Sequence, residues 1–296
     1  MGSYRKKSEK FFKMKKIYPK QKEFIFLLIK GAIIILGTLA VLVPFIYLFL
    51  NSIKPEFEFL SVPPKLFPSR IMTKYYSSLL ASGSETLKFL FNSLLVTGAT
   101  TILAVFGGAL AAYSLSHLRV SPKTISIIIF SILLVRFYPK ITTVIPYFIL
   151  MKKFHLLDTL ISIIIAHVSI TVPFVVLLMM SFFREIPPSI EESAKLDGCN
   201  VWQVFCKIVL PLSSPGLATS AVLTAIISWN EFLIASSLAS VNAKTLPIAV
   251  SSFITDKGIL WGPMSAMTTL IVIPIVLFTL LLQKYLVRGL TLGAVK

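Results

Sequence analysis

Residues 189–211 read Ser-Ile-Glu-Glu-Ser-Ala-Lys-Leu-Asp-Gly-Cys-Asn-Val-Trp-Gln-Val-Phe-Cys-Lys-Ile-Val-Leu-Pro, a polar island between two long apolar stretches. Local chemistry predicts two short helices. Pro187 and Pro188 stop the helix before them, Ser189 is placed to accept at the new N-terminus, and Glu192 three residues on completes a capping box. Gly198 supplies the left-handed residue that closes the first helix. Asn200 with Gln203 marks a second start, and Val201, Val204, Phe205 and Ile208 follow at helical spacing. Pro211 and Pro215 mark the handover to the next apolar stretch. Asp197 opposes the dipole of the helix it ends, although it could favour the N-terminus that follows; the misfit points to a task outside the first helix.

The flanks of this hairpin decide its setting. A chain of 296 residues that is 56% hydrophobic and 14% charged, with mean hydropathy +0.86, has too much apolar surface for a soluble core of its size. It belongs in a bilayer. Residues 31–50 carry no charge and are long enough to cross about 30 Å of hydrocarbon as a helix. Further apolar runs at 88–115, 123–150, 157–183, 212–238 and 264–287 predict an all-α integral membrane protein with six transmembrane helices.

Charge orients the spans. Nine Lys and Arg residues between Arg5 and Lys22 crowd the segment ahead of the first span and hold the N-terminus in the cytosol. Six spans then bring the C-terminus, with Lys284, Arg288 and Lys296, to the cytosolic side, along with the 189–211 hairpin. Lys152 and Lys153 in a short outer loop run against the rule but are outweighed. The organisation expected is a basic cytosolic segment 1–23, a first transmembrane helix 24–50, an extracytoplasmic loop 51–87, and a core of five helices over 88–296. That core includes the loop 184–211 and a tail 289–296. The first apolar run is too long for a removable signal peptide.

Several function classes drop out. A polybasic stretch beside a membrane span is a topology signal that also touches anionic lipid, so no nucleic-acid partner is expected. Cys199 and Cys206, the only cysteines, fall in the cytosolic hairpin, where thiols stay reduced. His117, His155 and His167 are scattered and make no metal-ligand spacing. There is no phosphate-binding Gly-rich loop of the P-loop type, so any ATP site must come from a partner. No paired carboxylate or Ser/His arrangement at membrane depth suggests an enzyme.

The pattern Glu192, Ser193, Ala194, then Gly198, then Ile208, Leu210 and Pro211 resembles the EAA loop of bacterial ABC-importer permeases, with Ser193 where the family usually has alanine. Asn92 with Ser93, Ala111-Ala112-Tyr113 and the segment Ser228-Trp-Asn-Glu-Phe232 are similar to stretches of carbohydrate-importer permeases. The ending Val287-Arg-Gly-Leu-Thr-Leu-Gly-Ala-Val-Lys296 resembles that of the maltose-transporter inner-membrane permease family. The resemblance implies a type I ABC importer fold. By it, Glu191, Glu192, Ser193, Ala194, Asp197, Gly198, Ile208, Leu210 and Pro211 form the ATPase-coupling element, and Gly289, Thr291, Gly293 and Lys296 reach the ATPase interface.

The resemblance also implies the partners: a second permease subunit, two ABC ATPase subunits that bring ATP and Mg, and an extracytoplasmic solute-binding protein. The chain itself then needs no cofactor and has no catalytic residue. Its place is the bacterial cytoplasmic (inner) membrane, as the permease of an ATP-driven carbohydrate importer working by alternating access. A permease for another solute, such as a glycerol phosphodiester, or a secondary transporter are the alternatives.

The substrate path is less legible. Arg136, followed by Tyr138, Pro139 and Lys140, lies inside an apolar run, where a cation must face protein or water. It is either a structural ion pair, a side chain reaching for the interface, or part of a path suited to an acidic substrate. Trp229 could stack on a sugar ring and Asn230 and Glu231 could bond hydroxyls; alternatively, Asn230 and Glu231 bridge helices and Trp229 sits in an interface belt. Pro139, Pro146 and Pro173 are expected to kink their helices.

Overall fold

The computed structural model describes the backbone of residues 2–117 and 121–292, and the side chains of 23, 24, 26–117, 121–280 and 283. In chain order the elements are α1 (Gly2–Ser52), α2 (Lys74–Leu79), α3 (Thr86–His117), α4 (Pro122–Phe137), α5 (Lys140–Lys153), α6 (Leu160–Arg184) and α7 (Pro188–Leu196). After these come α8 (Val201–Val204), a π turn (Phe205–Val209), α9 (Leu210–Leu212), α10 (Ser214–Trp229), α11 (Leu233–Leu238) and α12 (Leu246–Ser251). A two-residue hairpin, β1 (Ile254–Thr255) with β2 (Gly258–Ile259), precedes α13 (Trp261–Leu292). Among the described residues four helices are long and apolar enough to cross a membrane, or up to six crossings if each of two bent helix pairs is one span.

The bends are where the sequence reading has to be corrected. The run 123–150 is two helices, α4 and α5, meeting at 89°. Pro139 explains it. It has no N–H to continue the ladder and forces Tyr138 out of the helical region, to ψ 133°. The run 212–238 is likewise divided, because α10 stops at Trp229 and α11 begins at Leu233. Pro146 and Pro173, by contrast, sit inside α5 and α6 without ending them. α13 continues through Arg288 to Leu292, past the expected end of the last span.

Packing centres on α3 and α6, with α10 against both, α13 against α10 and α1, and α5 against α11. Small residues set the closest approach. Ala104, Gly108 and Ala112 share one buried face of α3, and a Cβ on Gly108 would come within 2.6 Å of Val175 on α6. Only hydrogen fits there. A Cβ on the neighbouring Gly107, by contrast, would meet no atom within 4 Å. α1 runs unbroken from the basic segment into the apolar one, and none of its described side chains from Glu23 to Leu50 is buried. Its apolar sides are left to lipid or another chain.

At the end remote from the 189–211 hairpin, loops are tied down by single side chains. Asn92 Nδ2 donates to the carbonyls of Asn242 and Lys244 at 2.9 and 2.8 Å, and Ser93 Oγ accepts from the Leu246 N–H at 2.8 Å. The segment 53–72, mostly irregular around a short turn at Glu56–Glu58, is pinned where Met72 N donates to Ile53 O and Tyr75 Oη to Lys54 O. Glu58 is held below the ordinary carboxylate range, chiefly by the hydroxyl of Ser69.

Candidate functional site

The hairpin folds as two short helices, by partly different means from those expected. α7 starts at Pro188, with Pro187 as the cap residue and no side chain capping it. Ser189 is therefore already helical, and the Ser189–Glu192 capping box does not form; Ser193 Oγ instead donates to the Ser189 carbonyl. Proline's fixed φ favours the first helical position, which moves the start two residues earlier, from a cap at Ser189 to one at Pro187. Gly198 at φ +87° ends the helix as expected, with Cys199 N donating to Ala194 O at 3.0 Å. Asn200 and Gln203 then form a complete capping box, with both bonds at 2.8–2.9 Å.

Beyond α8 the chain widens into the π turn Phe205–Val209. Pro211 accounts for it, since its ring would meet the Lys207 carbonyl in a regular helix. The turn leads through α9 into α10 at a 77° bend. Cys199 and Cys206 are free thiols.

What the hairpin buries and what it shows are sharply divided. Ala194, Val204, Phe205 and Val209 join Val175, Met179 and Phe183 of α6 and Ala112 and Tyr113 of α3 in one core. Ile208 and Leu210 pack at its margin. Facing outward are Glu192, Ser193, Asp197, Gly198 and Pro211. Among them stand three large apolar side chains, Leu196 at 89%, Val201 at 63% and Trp202 at 56% exposure.

One buried acid fastens this element to the helix bundle. Glu191, 5% exposed, accepts a hydrogen bond from Tyr113 Oη at 3.1 Å and lies 2.8 Å from His117 Nε2. The other ring nitrogen of His117 faces the Tyr113 carbonyl at 2.9 Å. Both ring nitrogens thus face oxygens, one from each of the elements the ring joins. Sequence reasoning missed His117 as a partner. The available signal was its position four residues after Tyr113, on one face at the end of a helix that leads towards the hairpin.

The residues proposed for a path divide as well. Trp229 is buried and its indole N–H donates to Ile271 O at 3.3 Å, so it joins α10 to α13 and does not sit in an interface belt. Asn230 is exposed and turns back to the Ile226 carbonyl. Glu231, 6% exposed, caps α11 by accepting from the N–H groups of Ile234 and Ala235 at 3.0–3.2 Å. His167 Nε2 of α6 stands 3.3 Å from Glu231 in an ion-pair contact too poorly angled for a hydrogen bond, and its Nδ1 meets Ser228 Oγ at 2.9 Å.

Arg136 and Tyr138 lie at the α4–α5 elbow, Arg136 over the ring of Phe174 with 5.6 Å to its centre. Gly289 and Thr291 fall within the α13 backbone, whereas Gly293 and Lys296 lie outside the described residues.

A second missed residue is Asp158, in the turn between α5 and α6 at φ 57°. Its carboxylate accepts from the backbone N–H groups of Ser240, Val241, Asn242 and Ala243, all at 2.9–3.1 Å. Partial burial works to raise its pKa, but these N–H groups outweigh it and hold the group well below the usual carboxylate range. Nothing local announces a partner about 80 positions away.

The model of the binding-protein-dependent transport system inner membrane components matches residues 104–292, the stretch that holds α6, the hairpin and α10 to α13. The chain belongs to that family. Relatives of this inner membrane component are transport permeases. The trehalose transport system permease protein SugB of Mycobacterium tuberculosis is 35% identical over 88% of this chain and 96% of its own length. The sulfoquinovosyl glycerol transport system permease protein SmoH of Agrobacterium fabrum is 31% identical over 86% of this chain and 89% of its own. Among solved structures, a bacterial ABC transporter involved in the import of the acidic polysaccharide alginate superposes with a TM-score of 0.72 at 25% identity, covering 88% of this chain and 96% of that one. The family membership and the apolar helices make this a multi-pass membrane protein of transport type.

Proposed function

We propose that this chain is one permease subunit of an ATP-driven carbohydrate importer, with six spans, both termini in the cytosol and the 188–211 hairpin as the element that couples to an ATPase. The observation that carries the reading is the division of the hairpin. Its inner face is bound to α3 and α6, through a shared core and through Glu191. Its outer face offers Leu196, Val201 and Trp202 beside Glu192, Asp197 and Gly198. Such an element docks outward while moving as one body with the helices beneath it.

Carbohydrate as the cargo is supported by the sugar-transport relatives. A second permease subunit completes the path, two ABC ATPase subunits carry ATP and Mg, and an extracytoplasmic binding protein delivers the sugar. ATPase closure pushes the hairpins, and the bundle turns its cavity outward. Differential contact of the ATPase groove with the two states supplies the energy. The bends at Pro139 and after Trp229 provide places where the spans can pivot.

Cysteine introduced at Leu196 should crosslink to a co-purified nucleotide-hydrolysing subunit. Absence of any such neighbour, with the complex intact, sinks the coupling reading. A secondary transporter draws on one observation, the buried His167–Glu231 pair, as a proton relay. Vanadate-insensitive uptake would favour it.

A further inference from the structure

The elbow between α4 and α5 holds a cavity of about 70 Å³. Arg136, Tyr138, Lys140, Thr143, Tyr147 and Ser169 line it. Every one of these side chains can donate a hydrogen bond, and two are cations. No carboxylate lines the cavity, and among the described residues neither Arg136 nor Lys140 has an acidic partner within ion-pair distance. Arg136 has only the face of Phe174.

This arrangement is costly without a visiting anion. The break falls inside the third apolar run, so under the proposed function both cations lie at membrane depth, where unpaired charge is expelled or matched. Cation–π contact offsets part of the penalty for one of them and none for the other. The same break starts α5 at Lys140 with Pro139 as its cap residue and no capping side chain, so the positive end of a 14-residue helix adds to the field. Tyr147 and Ser169 share a hydroxyl contact that ties α5 to α6 across the cavity.

We infer that this elbow is a subsite for the acidic group of an anionic sugar, a carboxylate or sulfonate carried on the translocated glycan. The inference rests on the carbohydrate-importer reading and names the chemistry of its cargo. The volume is about that of two water molecules, enough for one acidic group and too small for a sugar ring. The ring itself must lie beside the cavity. Arg136 presents a planar fork that a carboxylate matches with two parallel bonds, and Lys140 adds a point charge on a flexible stem. The transporter of similar fold that imports an acidic polysaccharide is consistent with this chemistry being available to the fold.

Chemical protection reads the site without nucleotide turnover. The full complex in nanodiscs of zwitterionic lipid is treated with phenylglyoxal for Arg136 and an acetylating reagent for the exposed Lys140, and modification is followed by peptide mass spectrometry. Trigalacturonate and a sulfonated hexose serve as acidic probes and maltotriose as the neutral one. The expected result is that at least one acidic probe shields Lys140 and Arg136 and maltotriose does not. Arg136→Gln should then raise the concentration needed to shield Lys140 by about tenfold or more.

Equal shielding by all three probes, or by none, overturns the proposal. So does shielding that appears only when phosphatidylglycerol is added, since the cluster would then hold a lipid headgroup. Either failure leaves the hairpin's coupling role standing, because its crosslinking test uses a different part of the chain.

Discussion

Tyr113 Oη donates to Glu191 Oε2 at 3.1 Å, joining the end of α3 to the first turn of α7 across 78 positions of sequence. Both groups are buried, so the bond is not exchanged freely for water. Tyr113→Phe keeps the ring in its contacts with His117 and Phe205 and removes only the donor. A hydrogen bond to a charged group contributes about 1.5–3 kcal/mol. The variant should loosen the hairpin by that order, seen as faster amide exchange over 188–204. If the hairpin is the coupling element, substrate-stimulated ATPase activity should fall further than basal activity. Unchanged exchange would show that the core alone holds the hairpin.

Gly198 separates two effects that a single substitution usually mixes. Its φ of +87° strains any L side chain by about 1–2 kcal/mol, yet a Cβ there would meet no atom within 4 Å. Gly198→Asn, which tolerates this region, should therefore fold with little loss. Gly198→Asp adds a charge to the outward face and should uncouple transport while the complex still assembles. Normal uptake by the aspartate variant would count against docking at this face.

The parts of the fold legible in the sequence are those fixed by neighbours along the chain. Gly198 and the Asn200–Gln203 box are written within four residues of the turns they make. The apolar runs give the long helices their approximate place, but not the division of 123–150 and 212–238 into two helices each. The break at Pro139 was visible as a proline, but the 28 apolar-rich positions around it carry no sign of an 89° bend, which depends on what α5 packs against. The capping box at Ser189 failed because Pro188 fits the first helical position better. Glu191, His117 and Asp158 acquire their partners only when helices far apart in sequence are laid together.

Asp158 predicts a local dependence on pH. Its pKa is depressed in the folded chain, so its stabilisation is complete above the unfolded value of an aspartate, about 3.9, and is lost as the pH falls through the lower folded value. At neutral pH the carboxylate is fully effective. Asp158→Asn should then release the 239–246 loop at pH 7, with faster amide exchange there and no change in the hairpin at the other end of the bundle. Acidification of the native protein to pH 5 should leave that loop protected. Loss of protection already at pH 5 would mean that another group holds it.

The pair His167 and Glu231 offers the most demanding test, since it joins α6 to the break between α10 and α11, inside runs taken to cross the membrane. Glu231 has two tasks, capping α11 and facing His167. Glu231→Gln keeps an oxygen to accept from Ile234 and Ala235, so it should cost little in thermal stability measured in detergent. His167→Leu removes the facing imidazole and leaves a carboxylate buried with only its backbone donors, so it should lower thermal stability clearly more than Glu231→Gln does. The double variant should be more stable than His167→Leu alone, because the uncompensated charge is gone. Additive losses in this cycle would show that the 3.3 Å approach is mere proximity, and would also remove the one observation that speaks for a proton relay.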